Sequence, residues 1–553
     1  MHKNVSIFAL GAALTLSGCS FGLTPNSSLV SSSSATSSAV SSSSSVISSS
    51  VSSGSSSALS SLTSSSFSGS ATSTSSPSSS STPSGGVALP DSPEFTAFWA
   101  HSASLKISLS FSNASLYALS LCGAKYNQKW ADLYFPCTFK ASFDGKDYVY
   151  TEVGARMKGN SSRREICDEN GTITQSCHLK ISFKATFDDP LYDLDEKLKD
   201  FKHDWSNDAS GLKIRKKRNL FGMEKIDLKY LPRNDNKTIS QEVYCYDTFR
   251  AAGILAPHAQ WAEVNLASDS SDRTYFYEVI EDIDKIFLKR HFSSEDAQGD
   301  LYKCVWGTDV NGAWSGADLV RDGAVEKNAT STSLTSGARL AKGRIGVEDN
   351  YNGYHPNYQL KTNDDGEASD FSRMANYINT LWNLRYRKAP QNSLESLLDV
   401  TEFLKFEALS YLFGNFDDQR NNDNNYYLYF RPSDKKALYI PYDWDWALGA
   451  ADESKKFVMA STTPLQTTGF HGAIGNNVYW VTFFASSGLA YDQNGYIASY
   501  LQSVNDGVNS GYLDVANYQS LVAQVPASLG SSDVSSVMAY MAAKKETIAN
   551  SLK

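Results

Sequence analysis

From about Asn26 to Gly86 the chain is mostly serine, with scattered Ala, Val, Thr, Gly and Pro. Such a tract buries too little apolar surface to offset the entropy lost on ordering, so it is expected to stay disordered. Any fold must come from the residues C-terminal to it. As a flexible coil of about 60 residues the tract spans on the order of 40 Å root-mean-square, a length that suits a leash. Residues 20–88 are read as this linker. Residues 89–553, rich in Tyr, Phe and Trp, have the apolar content to bury a large core.

Ahead of the leash, His2 and Lys3 precede an apolar run from Val5 to Leu16, which leads into Leu16-Ser17-Gly18-Cys19. A short positive segment, an apolar stretch too short to span a bilayer and small residues at its end describe a secretory signal. An aliphatic residue three places before cysteine, with small residues between, is the pattern of a lipobox. Residues 1–19 are therefore expected to direct export, and Cys19 to carry lipid. Several acyl chains on one residue anchor stably, where one chain binds only marginally. The expected partner is a lipid bilayer, and the expected location is extracytoplasmic and membrane-anchored. A formal charge of -9 argues against nucleic acid. Of the seven cysteines, setting Cys19 aside leaves an even set: Cys122, Cys137, Cys167, Cys177, Cys245 and Cys304. In an exported chain an even set points to disulfides. Cys167 with Cys177 and Cys122 with Cys137 would close the cheapest local loops.

Alternation predicts strands over Leu105–Phe111, Thr138–Phe143 and Tyr148–Ala155, the last two joined by the turn Asp144-Gly145. A small-residue loop with cations beside it comes next, Arg156 to Ser162. Leu179–Phe187 alternates again and places Lys180, Ser182 and Lys184 on one strand face. Ile226–Leu231 is a further strand, and Ser240–Ala252 an amphipathic helix capped by Ser240 and stopped at Gly253. Trp261–Asn265 and Tyr275–Ile280 form a hairpin ending in Glu281. Helices are expected over Asp370–Trp382, Ser393–Leu398, Val400–Gly414 and again after Tyr479, with a compact β unit, Tyr426–Phe430 and Ala437–Tyr442, between them. A β-rich first half and a helix-rich second half suggest a two-lobed α+β body. Residues 308–350, with Gly, Ser and Thr in excess, read as an insertion.

Segment 411–449, YLFGNFDDQRNNDNNYYLYFRPSDKKALYIPYDWDWALG, carries the chemistry. A helix ends in Gly414-Asn415-Phe416-Asp417-Asp418, and a polar loop runs to Asn425. Two strands come after it, the second ending in Asp443-Trp444-Asp445. Alternation puts the carboxylates of Asp443 and Asp445 on one side of the extended chain, and the hairpin folds them back toward Asn425. Carboxylates and amide oxygens converging in this way suit a hard cation such as Mg²⁺. Asp417 or Asp418 remains free to take a proton from a hydroxyl. This is the parts list of phosphoryl transfer: a base, an Asn and an Asp for metal, and a lysine for phosphate.

These residues, with Val153–Ser162, Ser182-Phe183-Lys184, the Glu242 helix ending Phe249-Arg250-Ala251-Ala252-Gly253, Tyr277–Asp284, Gly299–Lys303, Tyr358–Thr362, Gly414–Asp417, Asn425–Tyr429 and Pro441–Asp445, resemble the spore coat protein H (CotH) kinase family. The resemblance runs from about residue 100 to 450, with a helical part over 451–553. It implies an atypical protein-kinase-like domain. The signatures HRD, DFG and GxGxxG are missing, in keeping with the family's divergent pattern. By position, the resemblance makes Asp417 the catalytic aspartate with Asp418 as the near alternative, and Asn425 and Asp443 metal ligands assisted by Asp445. It also implies Lys184 or Lys180 on the nucleotide phosphates, Glu242 orienting that lysine, Arg156 and Lys158 beside a phosphate-covering loop, and Glu281 at the junction of the lobes. The implied cofactors are ATP and Mg²⁺ or Mn²⁺, and the implied acceptor a protein serine. The length and serine content of the leash make its own serines further candidate acceptors, because it can loop back to its own domain. A catalytically silent kinase-like module for surface binding is the alternative. Three departures stand out: Tyr442 where the family usually has Trp, a longer loop between Asp417 and Asn425, and the 308–350 insertion. The longer loop leaves Asn421, Asn422 and Asn424 as further ligand candidates.

Overall fold

A computed structural model describes residues 86–124, 132–159, 162–231, 240–308, 314–319, 340–342, 357–363, 372–385, 394–450, 461, 495–526 and 534–551. Cys19, the export signal, nearly all of the leash and most of the 308–350 insertion lie outside them. Among the described residues no helix is long and apolar enough to cross a membrane.

Seven strands close into a barrel in the order β1-β2-β3-β4-β5-β7-β6. They are β1 (Lys106–Ser110), β2 (Phe135–Phe143), β3 (Lys146–Met157), β4 (Leu179–Ser182), β5 (Lys225–Tyr230), β6 (Ala259–Ala267) and β7 (Asp272–Glu281). The sequence alternation in β2 is also the alternation of burial, with Phe135, Cys137, Phe139, Ala141 and Phe143 inside. Asp144 and Gly145 turn the β2–β3 hairpin with φ of 50° and 69°, the left-handed pair that matches strand twist. Closure comes from β6 lying parallel to β1, with Lys106 opposite Glu263, so the sheet has no free edge there. Ser112 caps a helix over Asn113–Gly123 that the sequence pattern does not announce. Its apolar residues have no one-sided pattern because much of the helix is enclosed.

The strand expected to reach Phe187 leaves the ladder at Ser182. Phe183, Ala185 and Phe187 still enter the barrel core, so the alternation reported burial rather than strand pairing. Lys184 consequently does not share a strand face with Lys180.

After the helices Gln241–Ala251 and Lys285–His291, a second sheet has the order β11-β12-β8-β13-β14. Its strands are β8 (Asp300–Cys304), β11 (Leu340–Lys342), β12 (Tyr358–Leu360), β13 (Tyr426–Phe430) and β14 (Ala437–Pro441), while β9 (Gly307–Thr308) and β10 (Trp314–Ser315) form a small ribbon. Helices Ser372–Arg385, Val400–Phe413, Tyr496–Asn509, Val515–Val522 and Ser535–Ser551 complete this mixed α+β part, which shares one core with the helix Gln241–Ala251. Gly507 lets the helix Tyr496–Asn509 lie close on Val400–Phe413, since a Cβ there would stand 2.6 Å from Leu412. Leu394–Leu398, expected as helix, instead form turns that bond to β14: Ala437 donates to the Leu397 carbonyl and Asp399 to that of Ala437. Those backbone groups are used by the sheet and are not available for a helix.

Neither local disulfide loop forms. Cys137, Cys167, Cys177, Cys245 and Cys304 are free, buried thiols, and Cys122 is buried beside them in the core. Each fills apolar space as a small hydrophobe.

Glu402, in the first turn of Val400–Phe413, is a buried carboxyl whose Oε1 has no partner, and burial followed by repulsion from Asp399 raises its pKa from 4.5 to about 8. A carboxyl with a raised folded pKa contributes fully below the unfolded value and loses that contribution as pH climbs through the folded one. Stability is therefore expected to fall between about pH 4.5 and 8. Glu402→Gln should remove that part of the loss, read as a smaller drop in denaturation midpoint from pH 5 to pH 9. An equal drop in both proteins would assign the loss elsewhere.

Candidate active site

The β13–β14 hairpin sets the site's geometry. Tyr426 pairs with Pro441, so Asn425, just before β13, faces the Tyr442–Asp445 segment just after β14. Asp423, Asn425 and Asp443 all take left-handed backbone conformations, with φ of 49°, 54° and 59°. Asn and Asp tolerate this region better than other residues with a Cβ, and non-glycine residues held there cluster at functional sites. Past β14 the chain alternates. Trp444 turns inward, fully buried, with its ring 4.7 Å from Phe249, while Asp443 and Asp445 both point to Lys229.

Lys229, on β5, is where the site converges. Its ammonium donates to Glu242 Oε2 at 2.6 Å and to Asp443 Oδ1, and lies 3.3 Å from Asp445 Oδ2. Burial disfavours its charge, but Asp443, Asp445 and Glu242 outweigh that and hold the lysine well above its ordinary range. Glu242, 1% exposed, accepts on its other oxygen from the Tyr246 hydroxyl at 2.7 Å and from the Trp444 N–H at 3.1 Å. Tyr246 in turn accepts from the Asp443 N–H at 2.9 Å. One helix thus fixes both the lysine and the backbone of the acidic segment. Glu278, opposite Lys229 on β7, is raised well above the carboxylate range by burial and by the nearby Glu242.

The Asn-rich loop is built around Asp417. Asn422 and Asn424 donate to its Oδ1 at 2.5 and 3.0 Å, and Asn425 donates to its Oδ2 at 2.9 Å. Burial raises this carboxyl to about 6 against the pull of Asn424 and Asn422, and the charges of Asp443 and Asp445 push the same way. Asp418 is turned inward. It caps the short helix Gln419–Asn422 through the Asn421 N–H at 2.9 Å, accepts from Asn421 Nδ2 at 2.8 Å, and takes the Ser410 hydroxyl on its other oxygen. At 1% exposure it has no open side toward a substrate, whereas Asp417 is only partly buried.

The remaining predicted residues divide. Lys180 and Lys158 meet at Asp227 on β5, and Lys180 also reaches Asp282. Arg156 stands beside them, bonded to Asp132 at 2.6 Å. Lys184 pairs with Glu224, and Glu281 accepts from His258 at 2.8 Å with Arg290 beyond, so neither joins the Lys229 cluster. Lys229 itself is not among the residues singled out from the sequence. The signal was available in Lys225-Ile226-Asp227-Leu228-Lys229, where alternation sets three charged residues on one face of the strand leading to the Glu242 helix.

As a donor set Asn425, Asp443 and Asp445 offer only oxygen, which fits Mg²⁺ or Mn²⁺, and Asp443, at 38% side-chain exposure, is open to solvent. Among the described residues no three His, Cys, Asp or Glu side chains form a metal-binding group by themselves, so the amide and the donor's phosphates would have to complete the shell. No curated protein matches the chain. The family model described as CotH kinase protein matches residues 156–532, well over half of the sequence, and spans every element of this site. The chain belongs to the CotH kinase family and carries its kinase-like domain.

Proposed function

We propose that this protein transfers the γ-phosphoryl group of ATP to a protein serine, with the barrel as the small lobe and the second sheet with its helices as the large lobe of a kinase-like body. The observation that carries this reading is the pairing of Lys229 with Glu242, a strand lysine and a residue of the next helix, directly against Asp443 and Asp445. That lysine–glutamate pair and a metal-binding aspartate are what kinase electrostatics require.

Asp417 is the base. Three amides fix its orientation, and a pKa of about 6 leaves it ionised at neutral pH yet basic enough to accept the serine proton as the oxygen attacks. A magnesium or manganese ion would be held by Asn425, Asp443 and Asp445, and when bound it neutralises charge on the donor phosphates. Lys229 orients the two aspartates, and Glu242 orients Lys229. Lys158 and Lys180 line the neighbouring wall and supply positive charge for phosphate. Asp418 supports the loop from within.

The protein is further proposed to work outside the membrane, tethered by acylated Cys19 through its serine leash. A leash of about 60 residues returns to its own domain at roughly millimolar effective concentration, which makes its serines candidate acceptors. Incubation with labelled ATP, Mg²⁺ or Mn²⁺ and a Ser-rich acceptor tests the activity. Wild type should label and Asp443→Ala should not; equal labelling by the two would end the kinase reading.

One observation favours a silent, binding-only module: Lys229 already engages both aspartates that a metal would need. Nucleotide is also scarce outside a membrane. A rise in melting temperature with ATP and Mg²⁺ counts against this second reading, and no rise supports it.

A further inference from the structure

The barrel carries a patch whose sign is opposite to that of the chain. The formal charge is -9 overall, yet Ala209–Arg218 holds five cations and no carboxylate. A helix over Ala209–Arg215 makes up most of this run, capped by Asp208 through the Gly211 N–H at 2.8 Å. Arg215 roots it. Its buried guanidinium donates to the Glu152 and Ala185 carbonyls at 2.7 and 3.0 Å and to the Glu152 carboxylate at 2.6 Å, and lies 5.3 Å from the Phe187 ring. Arg218 donates to the Thr151 carbonyl at 2.5 Å. The run is therefore held against β3, with Lys213, Ile214, Lys216 and Lys217 left exposed.

Two observations separate this patch from an ordinary solvated face. First, its cations are surplus. Lys199 and Lys202, just upstream, pair with Glu196 and Asp193, whereas among the described residues Lys213, Lys216 and Lys217 meet no carboxylate. The carboxylates at the edge of the patch are already used: Glu152 by Arg215, Asp208 by the helix N-terminus and Asp147 by Lys140. Second, the cations flank apolar surface. Ile214 is 69% exposed, and Val149, two residues from Thr151 on β3, is 57% exposed. Single exposed aliphatics are common. Here the two most exposed large apolar side chains among the described residues stand on elements that Arg215 and Arg218 join.

We infer that this patch docks the domain on an anionic bilayer surface. The lysine ammoniums meet lipid phosphates while Ile214 and Val149 enter the headgroup boundary, the division of labour of a basic interfacial helix. Charge argues against the other occupants. A second copy would bring like charge to like, and residues 26–86 of the leash include no acidic residue. Such docking deepens the proposed tethering and rests on it for the nearness of a bilayer, since a leash reaching on the order of 40 Å keeps one within range. It also leaves the active site open. Gly154, Ser182 and Lys225 are register partners, so Val149 lies five residues of strand to one side of that row and Lys229 four to the other. That separation is about 30 Å along the barrel.

The test uses the full chain carrying Cys19→Ser, which cannot be acylated, and vesicles of equal parts phosphatidylcholine and phosphatidylglycerol. In sedimentation the chain should bind these vesicles, bind pure phosphatidylcholine far less, and be released as salt is raised. Lys213→Gln, Lys216→Gln and Lys217→Gln combined should weaken binding about a hundredfold, and Ile214→Ser several-fold. Equal binding to both kinds of vesicle, no release by salt, or undiminished binding by the triple variant would each overturn the inference. Binding of soluble polyglutamate without any vesicle binding would reassign the patch to an acidic protein and overturn it as well. Patch-dependent vesicle binding by a chain whose Cys19 carries no lipid in cells keeps this surface and removes the tether. Lipid on Cys19 with no patch-dependent binding keeps the tether and removes this surface.

Discussion

Asp417→Asn is expected to lower the rate of phosphoryl transfer by about 10²- to 10⁴-fold, the range that a positioned general base contributes. The substitution keeps the size of the side chain and most of its surroundings. Asn422 and Asn424 can still donate to the remaining oxygen, and only the Asn425 amide, 2.9 Å from Oδ2, loses one of its two acceptors, keeping the Asp417 carbonyl at 2.9 Å. Folding should therefore change by no more than about 1–2 kcal/mol, the cost of one unmet hydrogen bond. Asp418→Asn provides the contrast. That carboxylate caps a helix and accepts the Ser410 hydroxyl in the interior, so its loss should appear as a lower denaturation midpoint rather than as a specific loss of rate per folded molecule. Rates normalised to folded protein, measured for both variants, separate the roles. If the Asp418 variant loses the larger share of normalised rate, the base has been assigned to the wrong aspartate.

The acidic half of this site is legible in the sequence because its logic is local. A hairpin with short strands must return its ends to one place, and Asp443-Trp444-Asp445 must put Trp444 on one face and the aspartates on the other. The lysine half is not local. Lys229 lies 214 residues from Asp443, and its choice over Lys180 or Lys184 depends on which strand of the barrel runs beside the Glu242 helix. Barrel closure has the same character. The parallel pairing of β1 with β6 joins strands separated by most of the barrel and leaves no turn signal behind. The asparagines mislead in another way. Composition marks Asn422 and Asn424 as oxygen donors for a cation, but each also carries an amide donor, and in the fold that end is the one directed to Asp417. The cysteines mislead through parity: an even count is compatible with disulfides, yet the six thiols are buried in separate parts of the two cores, where each serves as a small apolar side chain.

Lys229→Met is expected to destabilise the protein by about 3–5 kcal/mol, the cost of removing one partner from a buried ion pair. The three carboxylates it serves are not equivalent. Asp443 and Asp445 have side-chain exposures of 38% and 17%, so water can replace part of what the lysine gives them. Glu242 is 1% exposed and faces Glu278, whose carboxyl is pushed well above its ordinary range by burial and by Glu242, so the charge on Glu242 would be left without compensation. The destabilisation should therefore come chiefly from Glu242. Glu242→Gln placed on top of Lys229→Met should recover a large part of it, because a neutral amide can still accept from Tyr246 or from the Trp444 N–H. Chemical denaturation of wild type, both single variants and the double variant measures the coupling directly. A single variant within about 1 kcal/mol of wild type would show that the Lys229–Glu242 pair contributes little to stability. Lys229 would then be held in place chiefly to orient the two aspartates, and the double variant would recover nothing.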